Sequence, residues 1–354
     1  MRLEKRHQAS AAALVLAPVG AVVFTLLVSA LLVLWAGAPV GRTYTLLLQG
    51  GFGSVFALSE TFTRAIPLIL TGLAATVAFR ARLFNIGAEG QLYAGALAAV
   101  AVGGLHGGTG FDQVPPALLF VLMLLAAAVA GALLLLGPAL MKARLGVDEV
   151  VTTLLLNFIV LLLVSMMLDG PMKDPGAMGW PQSVSLIGEL ELSKLIPQTR
   201  VHTGLLFGLT LAVAVWVLMR YTVLGFDIRA LGANARAAAF AGVPVTRTVV
   251  LVALLSGALA GLAGAIEVAG RTSYVTLDMS PGYGYSGIVI AMLAALHPLG
   301  VVLASVYVAG VLVGADSMSR AIGVPTYIAD VIVAASLLSV LVATLLTQYR
   351  VRLR

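Results

Sequence analysis

The 354-residue chain is 60% hydrophobic and only 10% charged, with a mean hydropathy of +1.07, whereas soluble chains carry about 25% charged residues. This composition makes it an integral membrane protein and leaves no room for a soluble catalytic domain of ordinary size, about 100–200 residues. Cysteine is absent and the net charge of +6 is dispersed over short loops, which excludes a disulfide framework, a thiolate site, a cysteine nucleophile and a nucleic-acid surface.

The first span is predicted at about 12–36. Its apolar run exceeds the roughly 7–15 residues of a cleavable signal, and Arg2, Lys5 and Arg6 before it start the chain in the cytoplasm. Residues 40–64 are broken by Gly50, Gly51 and Gly53, and GFGSVFALSETFTR is too polar to span, so an interfacial or re-entrant piece is expected there. Spans follow at 65–79, about 88–104, 116–140 and 149–168, the last with one buried-looking polar residue, Asn157. The loop HGGTGFDQVPP between the second and third of these has no Lys or Arg and is placed outside. Residues 169–202 form the longest polar interval, also outside, and a span at 203–219 returns to an arginine-bearing loop, 220–248.

Another span at about 249–269 ends near Glu267. After an outer interval with GYGYSG, the apolar run at 288–296 is too short to cross, since about 20 residues are needed, and reads as a half-helix. A span at 299–315, an outer loop with Arg320, and a span at 327–346 complete the chain. Under this topology 14 Lys and Arg lie inside and 7 outside, the bias expected when both termini are cytoplasmic. The fold class is therefore all-α: one polytopic membrane domain, residues 1–354, with about ten crossings including half-helices. A faint echo between TRAIPLILTGLAA and TRTVVLVALLSGALA suggests two halves built alike.

Chemistry is densest in Arg80-Ala-Arg-Leu-Phe-Asn-Ile-Gly-Ala-Glu-Gly-Gln91, a polar, glycine-bearing turn between two apolar runs. Asn85, Glu89 and Gln91 at a helix start suit either a cap or a ligand contact. No GxxxxGK[ST] occurs, so the chain holds no nucleotide in a P-loop, and any ATPase driving it is another polypeptide. The four histidines (7, 106, 202, 297) are far apart and neither HExxH nor GxSxG appears, which speaks against a metal site or a hydrolase. In 220–248, the run from Gly232 through Asn234 to Gly242 and Pro244 predicts a short helix capped at Asn234. Between two spans, such a helix suits a groove in a cytoplasmic motor.

These stretches resemble the membrane permeases of ABC importers in the branched-chain amino acid, ribose and nucleoside group, most of all the nucleoside-type permeases. The resemblance rests on SETFTRAIPLILTGLAATVAFRARLFNIGAEGQL, DEVVTTLLLNFIVLLLV with the following GPMKDP, RALGANARAAAFAGV and GYGYSGIVIAMLAALHPLG, and covers nearly the whole chain. Ala235 departs from it, since relatives often place proline after the asparagine. The resemblance implies an inner-membrane importer with two permease subunits, a cytoplasmic ABC ATPase that uses the ATP, and an extracytoplasmic solute-binding protein. This chain would be the longer of two unlike permeases, with no cofactor of its own and no nucleic-acid partner.

The candidate substrate-path residues are Asn85, Glu89, Gln91, Asn157, Glu267, Tyr283 and Tyr285. Each has a structural alternative: a helix-end carboxylate for Glu89, an interhelical hydrogen bond for Asn157, and interfacial tyrosines at 283 and 285. Glu267 and Asp330 lie near helix ends, where depth decides their role. Candidate ATPase-coupling residues are Arg229, Gly232, Asn234, Arg236, Ala238 and Gly242. Glycines 257, 261 and 264 fit close helix packing. The reading is a nucleoside importer working by alternating access, with a sugar or branched-chain amino acid permease as the alternative within the family. An ion-coupled secondary transporter is the rival from another class.

Overall fold

The computed structural model describes residues 39–104 and 114–323, the segments Arg2–Lys5 and Tyr349–Arg352, and scattered positions within 20–37 and 331–342. The predicted spans at 12–36 and 327–346, most of the loop HGGTGFDQVPP and Asp330 therefore lie outside the described residues. In chain order the helices are α1 (Val40–Phe52), α2 (Val55–Arg80), α3 (Ala88–Gly103), α4 (Pro116–Leu145), α5 (Glu149–Asp169), α6 (Gly204–Tyr221), α7 (Val223–Ala233), α8 (Ala235–Phe240), α9 (Val245–Glu267), α10 (Tyr283–Leu293) and α11 (Pro298–Ile322). The architecture is helical, as expected. Among the described residues, six helices are long and apolar enough to cross a membrane, or seven if Leu27–Trp35 and α1, bent by 112°, count as one span.

The chain forms two compact units, one of residues 1–62 with 306–354 and one of residues 63–305. In the first, a short antiparallel ladder of β1 (Arg2–Lys5) and β2 (Tyr349–Arg352) joins the two ends of the chain, an addition to the all-α expectation. Glycine backbones also meet there: a Cβ on Gly51 would lie 2.3 Å from the Gly310 carbonyl, and one on Gly314 would lie 2.1 Å from that of Leu47.

Three boundaries depart from the sequence reading. Residues 55–64 are not a separate interfacial piece but the first turns of α2, because their hydroxyls bond back to main-chain carbonyls: Ser59 to Phe56 and Thr61 to Gly51, both at 2.8 Å. Arg320 is in the last turn of α11, not in a loop, and that extension is held by Met318, packed with Val33 and Ala315. GYGYSG is the start of α10 rather than an outer loop, and the helix closes at Leu293.

In the second unit α9 is the centre. Gly257, Gly261 and Gly264 bring its backbone against α4 and α3: added Cβ atoms would lie 2.3 Å from the Gly131 carbonyl, 2.2 Å from that of Ala127 and 1.9 Å from that of Leu92. Without a water-driven force between helices in lipid, this contact of small residues is what packs them. The predicted outer interval lies across the helix ends. Ile187 N–H donates to the Gly103 carbonyl, Leu192 N–H to Ala269 and Leu186 N–H to Ser273. His202 is buried there, its ring in the space a Cβ on Gly270 would need, 2.1 Å away.

Gly264→Val should lower stability by about 1–3 kcal/mol through overpacking, read as a fall in melting temperature in detergent. Burial pushes the His202 imidazole down to about 4, from about 6.5 in an unfolded chain. Between those values the unfolded state binds a proton that the folded state refuses. Stability should thus fall as pH drops through that window, by up to about 3 kcal/mol, with no further loss from this group below it. Faster amide exchange over residues 183–202 at pH 5 than at pH 7.5, corrected for intrinsic rates and abolished by His202→Asn, would register it.

Candidate functional site

The segment between α2 and α3 is not helical, yet it is largely buried. After α2 the chain turns at Arg82, a non-glycine residue with φ of 55°. Arg82 N–H donates to the Phe79 carbonyl and Leu83 N–H to that of Ala78, both at 3.0 Å, closing the helix end. In an apolar bundle each remaining N–H needs a protein partner. One face of α5 supplies them: Phe84 N–H donates to Glu149 Oε1 at 3.0 Å, Ile86 N–H to Thr153 Oγ1 at 3.2 Å, and Gly90 N–H to Asn157 Oδ1 at 2.8 Å. Positions 149, 153 and 157 share a helix face at four-residue spacing. The segment therefore climbs alongside α5 over about 12 Å at 1.5 Å per residue. Lys142, at the end of α4, reaches both Glu149 and the Arg82 carbonyl and fixes the lower end.

Asn85 and Gln91 face each other as a reciprocal amide pair. Each amide nitrogen donates to the other's oxygen at 2.9 Å. Asn85 Oδ1 also accepts from Gly87 N–H at 2.9 Å, and its nitrogen donates to Ser256 Oγ on α9 at 3.1 Å; Ser256 in turn donates to the Ala74 carbonyl on α2. Both lone pairs and both protons of the Asn85 amide are used inside the protein. Asn157 donates to the Ile86 carbonyl at 2.9 Å and to Tyr285 Oη at 3.1 Å while accepting from Gly90. The sequence reading singled out Asn157 but missed Glu149, Thr153 and Ser256. The signal for Glu149 and Thr153 was their four-residue spacing with Asn157 along an otherwise apolar helix; Ser256 had none.

Glu89 joins two helix starts. It lies in the first turn of α3 and accepts from Gly284 N–H, at the start of α10, at 2.6 Å. A Cβ on Gly284 would lie 2.2 Å from Glu89 N, so the two N-termini abut, and the buried carboxylate sits at the positive ends of both. One turn on, Tyr93 holds the descending chain by donating to the Leu277 carbonyl and accepting from Ser280 N–H. Thr71 of α2 donates to the Tyr283 carbonyl at 3.0 Å.

Glu267 closes α9, which runs on into a π turn over Val268–Thr272. It pairs with Arg271 at 2.6 Å, and Arg271 donates to Tyr283 Oη at 3.2 Å. Glu267 and Tyr283 are both 1% exposed, whereas Tyr285 leaves 39% of its surface open. The structure thus pairs Asn85 with Gln91 and Asn157 with Tyr285 along one buried turn, sets Glu89 between the starts of α3 and α10, and joins Glu267 to Tyr283 through Arg271.

The predicted coupling residues lie elsewhere in the unit, on α7 and α8. Asn234 is a corner: its Oδ1 accepts from Arg236 N–H at 3.0 Å and Ala237 N–H at 3.2 Å to start α8. Gly242, with φ of 88°, ends α8, its N–H on Ala239 and that of Val243 on the Ala238 carbonyl. Ala235 occupies the first helical position without disturbing the cap. Ala238 is buried and Arg229 and Arg236 are exposed. Gly232 is pressed on the end of α2, where a Cβ would lie 1.9 Å from the Arg80 carbonyl. The helix α7 was not anticipated; its start is capped by Thr222, which accepts from Gly225 N–H.

Asn157→Leu would strip partners from Gly90 N–H, the Ile86 carbonyl and Tyr285 Oη together. The expected cost is roughly 2–5 kcal/mol, against about 1–3 for Thr153→Val, which orphans only the Ile86 N–H. Thermal unfolding of both purified variants checks the order.

Residues 57–341 match the family described as branched-chain amino acid transport system, permease component. The chain is 35% identical to the guanosine ABC transporter permease of Bacillus subtilis over 92% of each chain. It is 38% identical to the glucose ABC transporter permease of Haloferax volcanii, over 84% of this chain and 79% of that one. It is also 30% identical to a nucleoside ABC transporter permease of Lactococcus lactis, over 91% and 89%. No solved structure matches. With a match over most of its length and relatives above 30% identity, the chain belongs to the family of branched-chain amino acid transport system permease components.

Proposed function

We propose that the chain is the multi-pass permease subunit of an ATP-driven importer in the cytoplasmic membrane, and that its solute is a nucleoside. The observation that carries the transport mechanism is the meeting of two helix N-termini inside the bundle, at Glu89. Helices that begin within a membrane protein, with their non-helical lead-ins satisfied by neighbouring side chains, line solute paths in transporters because their ends offer polar groups at depth. The relatives named for guanosine and nucleosides, aligned over about nine-tenths of the chain, favour a nucleoside.

In this reading Asn85, Gln91, Asn157 and Glu89 support the path and Tyr285 meets the solute. The four are buried and bonded to protein, while the Tyr285 ring is open and its hydroxyl is oriented by Asn157. An open aromatic face suits a nucleobase, by stacking. Glu267 with Arg271 fixes Tyr283 on the far side. A separate cytoplasmic ATPase binds α7 and α8 and uses the ATP, a second permease completes the path, and an extracytoplasmic binding protein delivers the solute. This chain binds no cofactor. Gly232, Asn234, Ala238 and Gly242 shape the coupling segment, and Arg229 and Arg236 face the ATPase.

A sugar permease is the second reading, favoured by the 38% identity to the glucose permease. Proteoliposomes containing the whole complex, supplied with labelled guanosine or glucose, separate the two. ATP-dependent guanosine uptake is expected, and Gly232→Pro should abolish it. Tyr285→Ala should raise the half-saturation concentration about tenfold, as loss of one stacking contact does, while Tyr285→Phe should stay near wild type. Glucose uptake without guanosine uptake would establish the second reading, and uptake driven by an ion gradient without ATP would overturn both.

A further inference from the structure

One short helix is held by opposite charges at its two ends. The N-terminus of α10 donates from Gly284 N–H to Glu89, and beyond its C-terminus the Leu296 carbonyl accepts from Arg80 Nε at 3.0 Å. A carboxylate at the positive end of a helix and a guanidinium at its negative end both favour the dipole. The two charges stand on consecutive helices, Arg80 ending α2 and Glu89 beginning α3, so the non-helical segment between them runs beside α10 from end to end.

The lower end of α10 is also strained. Ala295 and Leu296 are successive non-glycine residues with φ of 49° and 57°. They are kept there by Ala295 N–H on Met292, Leu296 N–H on Ala291 and the Arg80 bond. A few residues in such conformations are where a chain absorbs a hinge movement.

Arg80 touches the coupling segment as well. Its carbonyl is the atom against which Gly232 of α7 is pressed, and Arg229, one turn earlier on α7, lies within electrostatic reach of its guanidinium. The cap at Asn234 makes α7 and α8 two arms of one corner. A push on α8 therefore reaches α7, then the Arg80 backbone, then through the Arg80 side chain the end of α10. That helix is 11 residues long, about 16 Å at 1.5 Å per residue, and its other end carries Tyr283 and Tyr285.

We infer that Arg80 is a positioning residue for transport, which passes movement of the coupling segment to α10 and so to the tyrosines at its start. The inference rests on the importer reading above. Its mechanism needs no contact between Arg80 and solute.

Because the chain lacks cysteine, Met292→Cys, on α10 and 40% exposed, places one thiol reporter on the helix. The whole complex is reconstituted in nanodiscs, and maleimide labelling is compared without nucleotide and with ATP plus vanadate. ATPase rate and, in proteoliposomes, solute uptake per ATP are measured alongside. With Arg80 present, labelling should change about threefold between nucleotide states. With Arg80→Gln the ATPase should continue, labelling should no longer follow nucleotide, and uptake per ATP should fall about tenfold; Arg80→Lys, which keeps a cationic donor, should recover part of both. A Gln variant with nucleotide-dependent labelling and unchanged uptake per ATP overturns the inference. So does a reporter complex that transports fully but whose labelling ignores nucleotide. If the Gln variant fails to assemble, Gly232→Ala tests the same joint from the other side. The added methyl should shift labelling of the nucleotide-free complex, and unchanged labelling counts against the inference. Uptake by the wild type that ignores ATP removes the importer reading and this inference together, whereas ATP-dependent uptake unaffected by Arg80→Gln removes the inference alone.

Discussion

Seven consecutive backbone N–H groups, from Ala81 to Gly87, leave the helical pattern inside an apolar bundle, and each has a partner. Each one left bare in such surroundings would cost several kcal/mol. That requirement explains the placing of polar residues around them. Glu149, Thr153 and Asn157 line one face of α5 because the segment needs acceptors at that rise. Asn85 turns back on Gly87 and Gln91 for the same reason, and Ser256 completes the Asn85 amide from α9. The polar groups around this segment replace the missing turns of a helix.

The interrupted helix permits an arrangement that a continuous one would not. A straight span from α2 into the bundle would present only side chains to its neighbours. Breaking it brings an N-terminus inside, where a second N-terminus from α10 joins it, and Glu89 bridges the two by accepting from Gly284 N–H. The glycines of α9 have the complementary task of keeping α3 and α4 close enough to enclose the break. By contrast α4, α5 and α6 leave most of their residues unburied within the chain.

Much of this was legible in the sequence. Composition gave the membrane class, apolar run lengths located most helices, and Asn234 with Gly242 marked the start and stop of α8 because capping is local chemistry. The stretch from Arg80 to Gln91 stood out for its polarity, and in the structure Asn85, Glu89 and Gln91 are buried and hydrogen-bonded within the protein. Hydropathy failed where polarity is locally self-satisfied. SETFTR looked too polar for a span, yet its hydroxyls bond carbonyls of the chain beside them, and the helix continues. Periodicity could not reveal that Glu89 serves α10 as well as its own helix, since its partner Gly284 lies 195 residues away. Nor could it show that Tyr283 is enclosed while Tyr285, two residues on, is open.

The distance in sequence between the broken segment and its acceptors has a bearing on how the protein is made. Phe84, Ile86 and Gly90 find their partners 65 to 67 residues later in the chain. When the ribosome has delivered residues 81–90, α5 does not yet exist, and lipid offers those amides nothing. The segment must therefore wait in water, or in the aqueous part of the insertion machinery, until α4 and α5 have entered and turned the face of Glu149, Thr153 and Asn157 toward it. Insertion strictly helix by helix would leave this segment without its partners until α5 has been delivered.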